Sequence, residues 1–357
     1  MRTIDIARNV FEQYKRIYAV ENYFGLLALY GASQLAVEFN DSFLLDEVET
    51  MLADYPGNIN KQPIFNFESY KCGGNGKAYL TYLDSIGKIA LKKDNRTAFR
   101  SELKEYADKM IVTNRNEDGI MTGSMEHLKT KVWIDAVTCI TPFMLFAGLA
   151  LGDEKYIDCG AEQCIKMYNL FVDNENGLLH QGKGFCGDEK KISEDHWSRG
   201  NGWGYVGLAD LVSYLPRNSK YCKTAAGLFK KMTDALYSVQ YAGVWNQELT
   251  YKNSWHESSG TALILYGIGS GIKAGILGDE YKKGYIDGMK KLINDFITPD
   301  FSILSSCPSC LCPGSGSKDD YVMLRQPMKN EPHSFGAVIM ALVQAHRNGI
   351  TLSEEIL

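Results

Sequence analysis

The 357-residue sequence has no excess of positive charge: 38 Lys and Arg stand against 43 Asp and Glu, a net charge of −5. Without that excess it is poorly suited to neutralise a phosphate backbone, so nucleic acid is not an expected partner. Long apolar runs are also missing. No stretch reaches the roughly 18 residues that a membrane span requires, and no membrane association is expected. The opening MRTIDIARNVFEQYKRIYAV carries a charge every few residues and does not read as a secretory signal. Proline is scarce, at 9 residues, and cysteine comes in an odd number, also 9, with Cys159 and Cys164 inside one helix-like segment. That is the usage of thiols in a reducing compartment, and the expected location is the cytoplasm. A disordered or fibrous chain is excluded by a composition that is 45% hydrophobic and 23% charged.

Glycine and aromatics are abundant, with 34 Gly beside 21 Tyr, 15 Phe and 5 Trp. Twelve helical segments can be read, and they alternate between two kinds. Segments 4–18, 41–54, 96–113, 153–171, 218–238 and 278–296 are amphipathic, with a charged face at a period of 3.6. Segments 22–38, 75–91, 135–151, 199–214, 257–276 and 333–347 are apolar nearly all round and rich in Gly and Ala. Helices apolar on every side are buried, and amphipathic ones cover them. Six of each in alternation predicts an all-α protein, an (α/α)6 barrel built from six helical hairpins. No linker or shift of composition breaks the middle of the chain, so residues 1–357 are read as one catalytic-size domain. Turns at Asp118-Gly119-Ile120 and Asn176-Gly177-Leu178 lead into short β-hairpins at one rim.

In such a ring the inner helices run the same way and their N-termini gather at one rim. Free N–H groups and the helix dipoles there favour an anionic ligand. Asp135 opens the third inner helix, two residues after Trp133. It is either an N-cap alone, or a cap and also a general acid whose pKa is raised by desolvation beside the indole. Arg199 sits in the first turn of the fourth inner helix, where a cation opposes the dipole, so something else must hold it there. Trp197 and Trp203 flank it and Gly200 and Gly202 clear space, which suggests a pocket for a flat anionic ring. His180 ends a hairpin, His256 and Glu257 open the fifth inner helix, and His333 follows Pro332 at the start of the sixth. Residues 299–332 form a long loop, read as an active-site lid. Its Cys307, Cys310 and Cys312 lack the second ligand pair of a zinc finger, so no metal is expected.

Together these residues resemble a known family. Trp133-Ile134-Asp135, His180, the run Trp197-Ser198-Arg199-Gly200-Asn201-Gly202-Trp203, and Glu257-Ser258-Ser259-Gly260-Thr261-Ala262 are similar to the unsaturated rhamnogalacturonyl hydrolases of glycoside hydrolase family 105. The W-x-R-G-N-G-W run is the specific part, because the related unsaturated glucuronyl hydrolases of family 88 tend to carry Gln where Asn201 stands. The resemblance implies an (α/α)6 barrel that acts without a cofactor. Its substrate would be an oligosaccharide made by a polysaccharide lyase, ending in a 4,5-unsaturated galacturonyl or glucuronyl residue. Asp135 would protonate C4 of the enol ether and water would add at C5. Residues Trp133, His180, Trp197, Arg199, Asn201, Trp203 and His333 would bind the substrate. The family's second aspartate, just before the second inner helix, is missing; Glu68 is the residue of that stretch that could substitute. Two other readings stay open on the sequence. One is a sugar epimerase or isomerase using His180, His256 and His333. The other is a zinc-binding or carbohydrate-binding helical barrel without hydrolase activity.

Overall fold

The computed structural model describes residues 1–57, 67–123, 126–308, 314–323 and 326–350. Cys310 and Cys312, and most of the stretch just before Glu68, lie outside them. The helices are α1 (Thr3–Ile17), α2 (Tyr23–Phe39), α3 (Ser42–Ala53), α4 (Glu68–Lys71), α5 (Gly74–Ser85), α6 (Lys93–Ile111), α7 (Ala136–Leu151), α8 (Glu154–Phe171), α9 (Ser198–Tyr214), α10 (Cys222–Ser238), α11 (Ser258–Lys273), α12 (Lys282–Phe296), α13 (Lys318–Met323) and α14 (Pro332–Arg347).

Packing between them closes a circle. α2 contacts α5, α5 contacts α7, α7 contacts α9, α9 contacts α11, α11 contacts α14, and α14 returns to α2. These six are the helices apolar on all sides, and nearly every residue of α7, α9 and α11 is buried. The amphipathic helices lie over the seams: α1 between α14 and α2, α3 between α2 and α5, α6 between α5 and α7, α8 between α7 and α9, and α12 between α11 and α14. α10 covers α9. The fold is the expected (α/α)6 barrel. The main hydrophobic cluster among the described residues runs from Ile4 in α1 to Ala345 in α14. None of the described helices is long and apolar enough to cross a membrane.

Local chemistry sets the helix ends. Asn22 caps α2 by accepting from Gly25 N at 2.8 Å, and Asp41 caps α3 by accepting from Phe43 N at 2.9 Å. α5 stops at Ser85, where periodicity predicts a helix over 75–91. Gly87 adopts φ +71, and Lys88 N returns to Leu83 O at 2.9 Å, which closes the helix in the 6→1 pattern favoured by glycine. Pro142 lies inside α7 and has no N–H to give Thr138 O. Asn75 Nδ2 of α5 bonds that carbonyl instead, at 2.8 Å, so the helix stays in the ring. The hairpins expected after α6 and α8 are present as bridges between Arg115 and Met121 and between Val172 and Leu179. A further short pair, β1 (Val132–Trp133) with β2 (Gly182–Lys183), joins the start of α7 to the second hairpin.

The starts of α2, α7, α9 and α14 meet around one cavity. Their far ends meet at the opposite rim, where Arg347 is held by Glu38, Gln34 and Tyr79. A half-buried guanidinium suits that rim, because helix C-termini carry partial negative charge.

Candidate active site

The cavity at the N-terminal rim encloses about 200 Å³. Asp135, Trp133, Arg199, Trp203 and His333 all line it, although they come from positions up to 200 residues apart in sequence. Leu27, Phe67 and Met121 complete an apolar wall. A carboxyl, a guanidinium and an imidazole therefore face one largely apolar chamber, where their mutual interactions are weakly screened.

Asp135 stands at the N-cap position of α7, but its side chain makes no cap bond and its backbone is already helical, at φ −53 and ψ −29. The cap role, which both readings of the sequence gave Asp135, is therefore corrected. Its Oδ2 is buried and has no hydrogen-bond partner among the described residues. Burial raises its pKa above the ordinary carboxylate value, and the nearby charges of Arg199 and His333 offset only part of that rise. Desolvation favours the protonated form of this carboxyl, and a protonated carboxyl on the cavity wall can donate a proton.

Arg199 is 1% exposed. Its Nη1 lies 2.9 Å from Glu331 Oε2, 2.7 Å from the carbonyl of Cys307 and 3.3 Å from Ser259 Oγ. These partners answer the dipole argument, since the Glu331 carboxylate outweighs the partial charge of the helix end. The guanidinium lies 4.7 Å over the Trp197 ring, so Trp197 supports it from behind and is not itself among the cavity's lining residues. The buried Nε of Arg199 has no partner among the described residues. One flank of the group is anchored, while the residue borders the cavity.

Glu331 is one of two residues around the cavity that sequence reasoning missed. It precedes Pro332 and reads as an ordinary helix start. In the structure its Oε2 takes Arg199 Nη1, and also the backbone N of His333 at 3.1 Å, while Oε1 meets His333 Nδ1 at 2.5 Å. Burial alone would raise its pKa, but Arg199 and then His333 hold it down at about 2. His333 Nε2 in turn lies 2.8 Å from Tyr23 Oη, and Tyr23, also unforeseen, lines the cavity. No periodicity links positions 23, 199 and 331, so the only signal was an acid beside a proline-led helix.

The remaining expected residues lie elsewhere. Asn201 gives its whole amide to the backbone: Oδ1 accepts from Leu179 N at 2.7 Å, and Nδ2 donates to Leu179 O and Trp197 O. It fixes the hairpin behind the cavity. His180 packs against His196 with ring centroids 4.6 Å apart, and burial, then the charge of His196, lower its pKa. His196 Nε2 lies 3.1 Å from Asp173 Oδ2, and the three residues form a polar cluster beside β2. Glu68 pairs with Lys71 at 2.6 Å; its neighbours Phe67 and Tyr70 line the cavity, and Glu68 is not among the lining residues. His256 packs on Tyr241. Of the three histidines that an epimerase would use, His333 alone lines the cavity.

A sequence profile described as Glycosyl Hydrolase Family 88 matches residues 27–349. The chain belongs to Glycosyl Hydrolase Family 88. This family 88 chain is 28% identical over 155 residues to an unsaturated 3S-rhamnoglycuronyl hydrolase of Formosa agariphila. The match covers 41% of each, so less than half the length of that relative is spanned. A second hydrolase of the same name, from Alteromonas, is 24% identical over 172 residues, 47% of this chain and 42% of the relative. Among solved structures, one described as a possible member of the GH105 family from Klebsiella pneumoniae superposes with a TM-score of 0.81 at 19% identity, covering 98% of this chain and 93% of that one. A family 105 glycoside hydrolase from C. acetobutylicum superposes with a TM-score of 0.80 at 23% identity, covering 98% and 100%. These neighbours share the barrel, and the family 88 profile with the two relatives bears out the resemblance at the level of the family.

Proposed function

We propose that this family 88 protein removes a 4,5-unsaturated uronic acid, galacturonyl or glucuronyl, from the non-reducing end of oligosaccharides released by polysaccharide lyases. The observation that carries the reading is Asp135: a buried carboxyl with a raised pKa, its Oδ2 without a hydrogen-bond partner among the described residues, on the wall of a cavity that also holds a buried arginine. In this reaction the C4=C5 electron pair takes the Asp135 proton at C4, and a water oxygen bonds C5. The resulting hemiketal opens to a ketone by breaking its bond to the ring oxygen, and the C1 hemiacetal so formed releases the remaining sugar. The glycosidic bond is not attacked directly, so a pair of carboxylates across it is not required. Arg199 would bind the uronate carboxylate, Trp203 and Trp133 would border the sugar ring, and Trp197 and Asn201 would hold the wall in place. His180 would act at the edge of the site through the hairpin it ends. Neither a metal nor a cofactor has a role in these steps.

Residues 299–332 would serve as the lid. Cys307 N donates to Glu257 Oε1 at 3.0 Å and Tyr321 packs on Trp197, which fastens the described parts of this segment beside Arg199; residues 309–313 and 324–325 lie outside the described residues. A cytoplasmic location agrees with Cys72, Cys139, Cys159, Cys164 and Cys222, which form no disulfide. The test is loss of the ultraviolet absorbance of the C4=C5 bond across a panel of lyase products. The name of the relatives makes unsaturated rhamnoglycuronyl oligosaccharides the first to try. If no member of the panel loses its double bond, the proposed reaction is wrong.

A further inference from the structure

Asp173, His180 and His196 move no proton in the reaction steps, yet the fold gathers them. Asp173 follows α8, and the bridge between Val172 and Leu179 folds the chain back so that His180 comes beside it. His196 arrives from the lead into α9, two residues before that helix starts. One possible metal-ligand atom from each of the three lies within 4.8 Å of the other two. His196 Nε2 is 3.1 Å from Asp173 Oδ2, and the two imidazole rings lie 4.6 Å apart between centroids.

A second carboxylate stands at the other ring nitrogen of His196. Glu248 is fully buried; its Oε1 accepts from the backbone N of His196 at 2.9 Å and lies 3.5 Å from His196 Nδ1. Two carboxylates thus face two imidazoles, and neither carboxylate has a lysine or arginine partner among the described residues. The buried Nδ1 atoms of His180 and His196 have no hydrogen-bond partner among the described residues either. Buried charges are ordinarily paired and buried nitrogens bonded. A divalent cation held by this cluster answers the charge of both carboxylates at once.

We propose that Asp173, His180 and His196 bind a divalent transition-metal cation of the zinc type, with Glu248 as the carboxylate that orients His196. Two imidazoles and one carboxylate suit such ions, whereas calcium and magnesium take mostly oxygen ligands. Around a tetrahedral zinc the ligand atoms lie about 3.3 Å apart. The edge from Asp173 to His196 already has nearly that length, and a movement of at most about 1.5 Å closes the others. The rings need not be neutral beforehand, because a binding cation displaces any proton they carry. With the metal on Nε2, Nδ1 of His196 donates to Glu248, the second-partner arrangement typical of metal-bound histidine. The cation stands outside the reaction. It fastens the hairpin to the start of α9, where Trp197 and Arg199 follow His196 closely in the chain.

Titrating chelator-treated protein with zinc chloride tests the site whether or not any sugar is turned over. Expected are one zinc per chain retained through desalting, measured by elemental analysis, and a melting temperature that rises when zinc is added. Glu248→Gln should weaken the zinc Kd about 10–100-fold. Asp173→Asn and His180→Gln, which remove ligands, should weaken it further, with metal-free melting temperatures equal to that of the metal-free wild type. Asp173 is half-buried and its Asn replacement is nearly isosteric, so that variant carries the test if His180→Gln fails to fold. Cobalt(II) in place of zinc should give visible d–d bands without thiolate-to-metal charge transfer. Loss of zinc on desalting would overturn the proposal, as would zinc bound by folded Asp173→Asn as tightly as by the wild type. A thiolate charge-transfer band would assign the metal to cysteines and overturn it too.

Discussion

Replacing Asp135 with Asn removes the proton that the proposed reaction transfers and little else. The side chains are nearly isosteric, and Asp135 Oδ2 has no hydrogen-bond partner among the described residues to lose. The stability cost should stay near the ~1–3 kcal/mol of one unsatisfied buried polar group. The catalytic cost is larger. A positioned general acid contributes about 10²–10⁴ in rate, or about 3–5 kcal/mol of barrier. Loss of double-bond absorbance should therefore slow at least about 100-fold at saturating substrate, while the melting temperature and the Kd for a lyase product change little. The wild-type pH profile supplies a second reading. Only protonated Asp135 can donate, and burial raises its pKa, so activity should hold on the acid side and fall as pH rises through that raised value. An Asp135→Asn enzyme within about ten-fold of the wild-type kcat would refute the assignment, since that is less than the smallest general-acid contribution. A descending alkaline limb that survived in the variant would refute the pKa argument.

Arg199→Lys keeps the charge but loses the planar fork that faces both Glu331 and the cavity. One charge-assisted hydrogen bond is worth about 1.5–3 kcal/mol, so KM should rise about ten-fold or more in steady-state assays. Gly260→Ala would place a Cβ 2.5 Å from Ser198 Oγ and 2.7 Å from Arg199 N. Thermal melts should show about 1–3 kcal/mol of destabilisation, as expected for overpacking. Asp210, fully buried and accepting from Tyr266 Oη at 2.7 Å and Tyr30 Oη at 3.0 Å, is pushed by burial from 3.8 up to about 7. Its protonated form is thus favoured by folding. Its stabilising effect is complete below about pH 4 and is lost as pH rises toward 7, by at most about 4 kcal/mol. Asp210→Asn should flatten that part of the stability curve, and an unchanged slope would show that another group titrates.

Much of the fold was legible because it is written in a local period. Helices apolar all round alternate with helices charged on one face, and a chain with six of each has few ways to bury the first kind. Asp135 and Arg199 could be found for a similar reason. Each is a local anomaly, a carboxyl after an indole and a cation at a helix start, and anomalies of that kind are visible within a few residues. Asn201 shows the limit of this approach. It sits inside the most specific motif of the chain, yet its amide is used on the backbone of Leu179 and Trp197. A motif records that a residue is needed and does not say whether ligand or backbone needs it.

By itself, then, the sequence determined the class of the protein: the twelve helices of the barrel without the short α4 and α13, the inner and outer sets, the rim where chemistry belongs, and the acid and the arginine there. Tertiary structure alone decided the partnerships. Glu331 meets Arg199 and His333, His333 meets Tyr23, and Glu68 turns to Lys71 instead of the cavity. The physical reason is range. Hydrophobic periodicity is set by neighbours three and four residues apart, whereas a buried ion pair is set by whichever groups the closing of the ring brings within about 3 Å. The join between α2 and α14, at opposite ends of the chain, puts Tyr23 beside His333, and no local pattern along the chain encodes that contact.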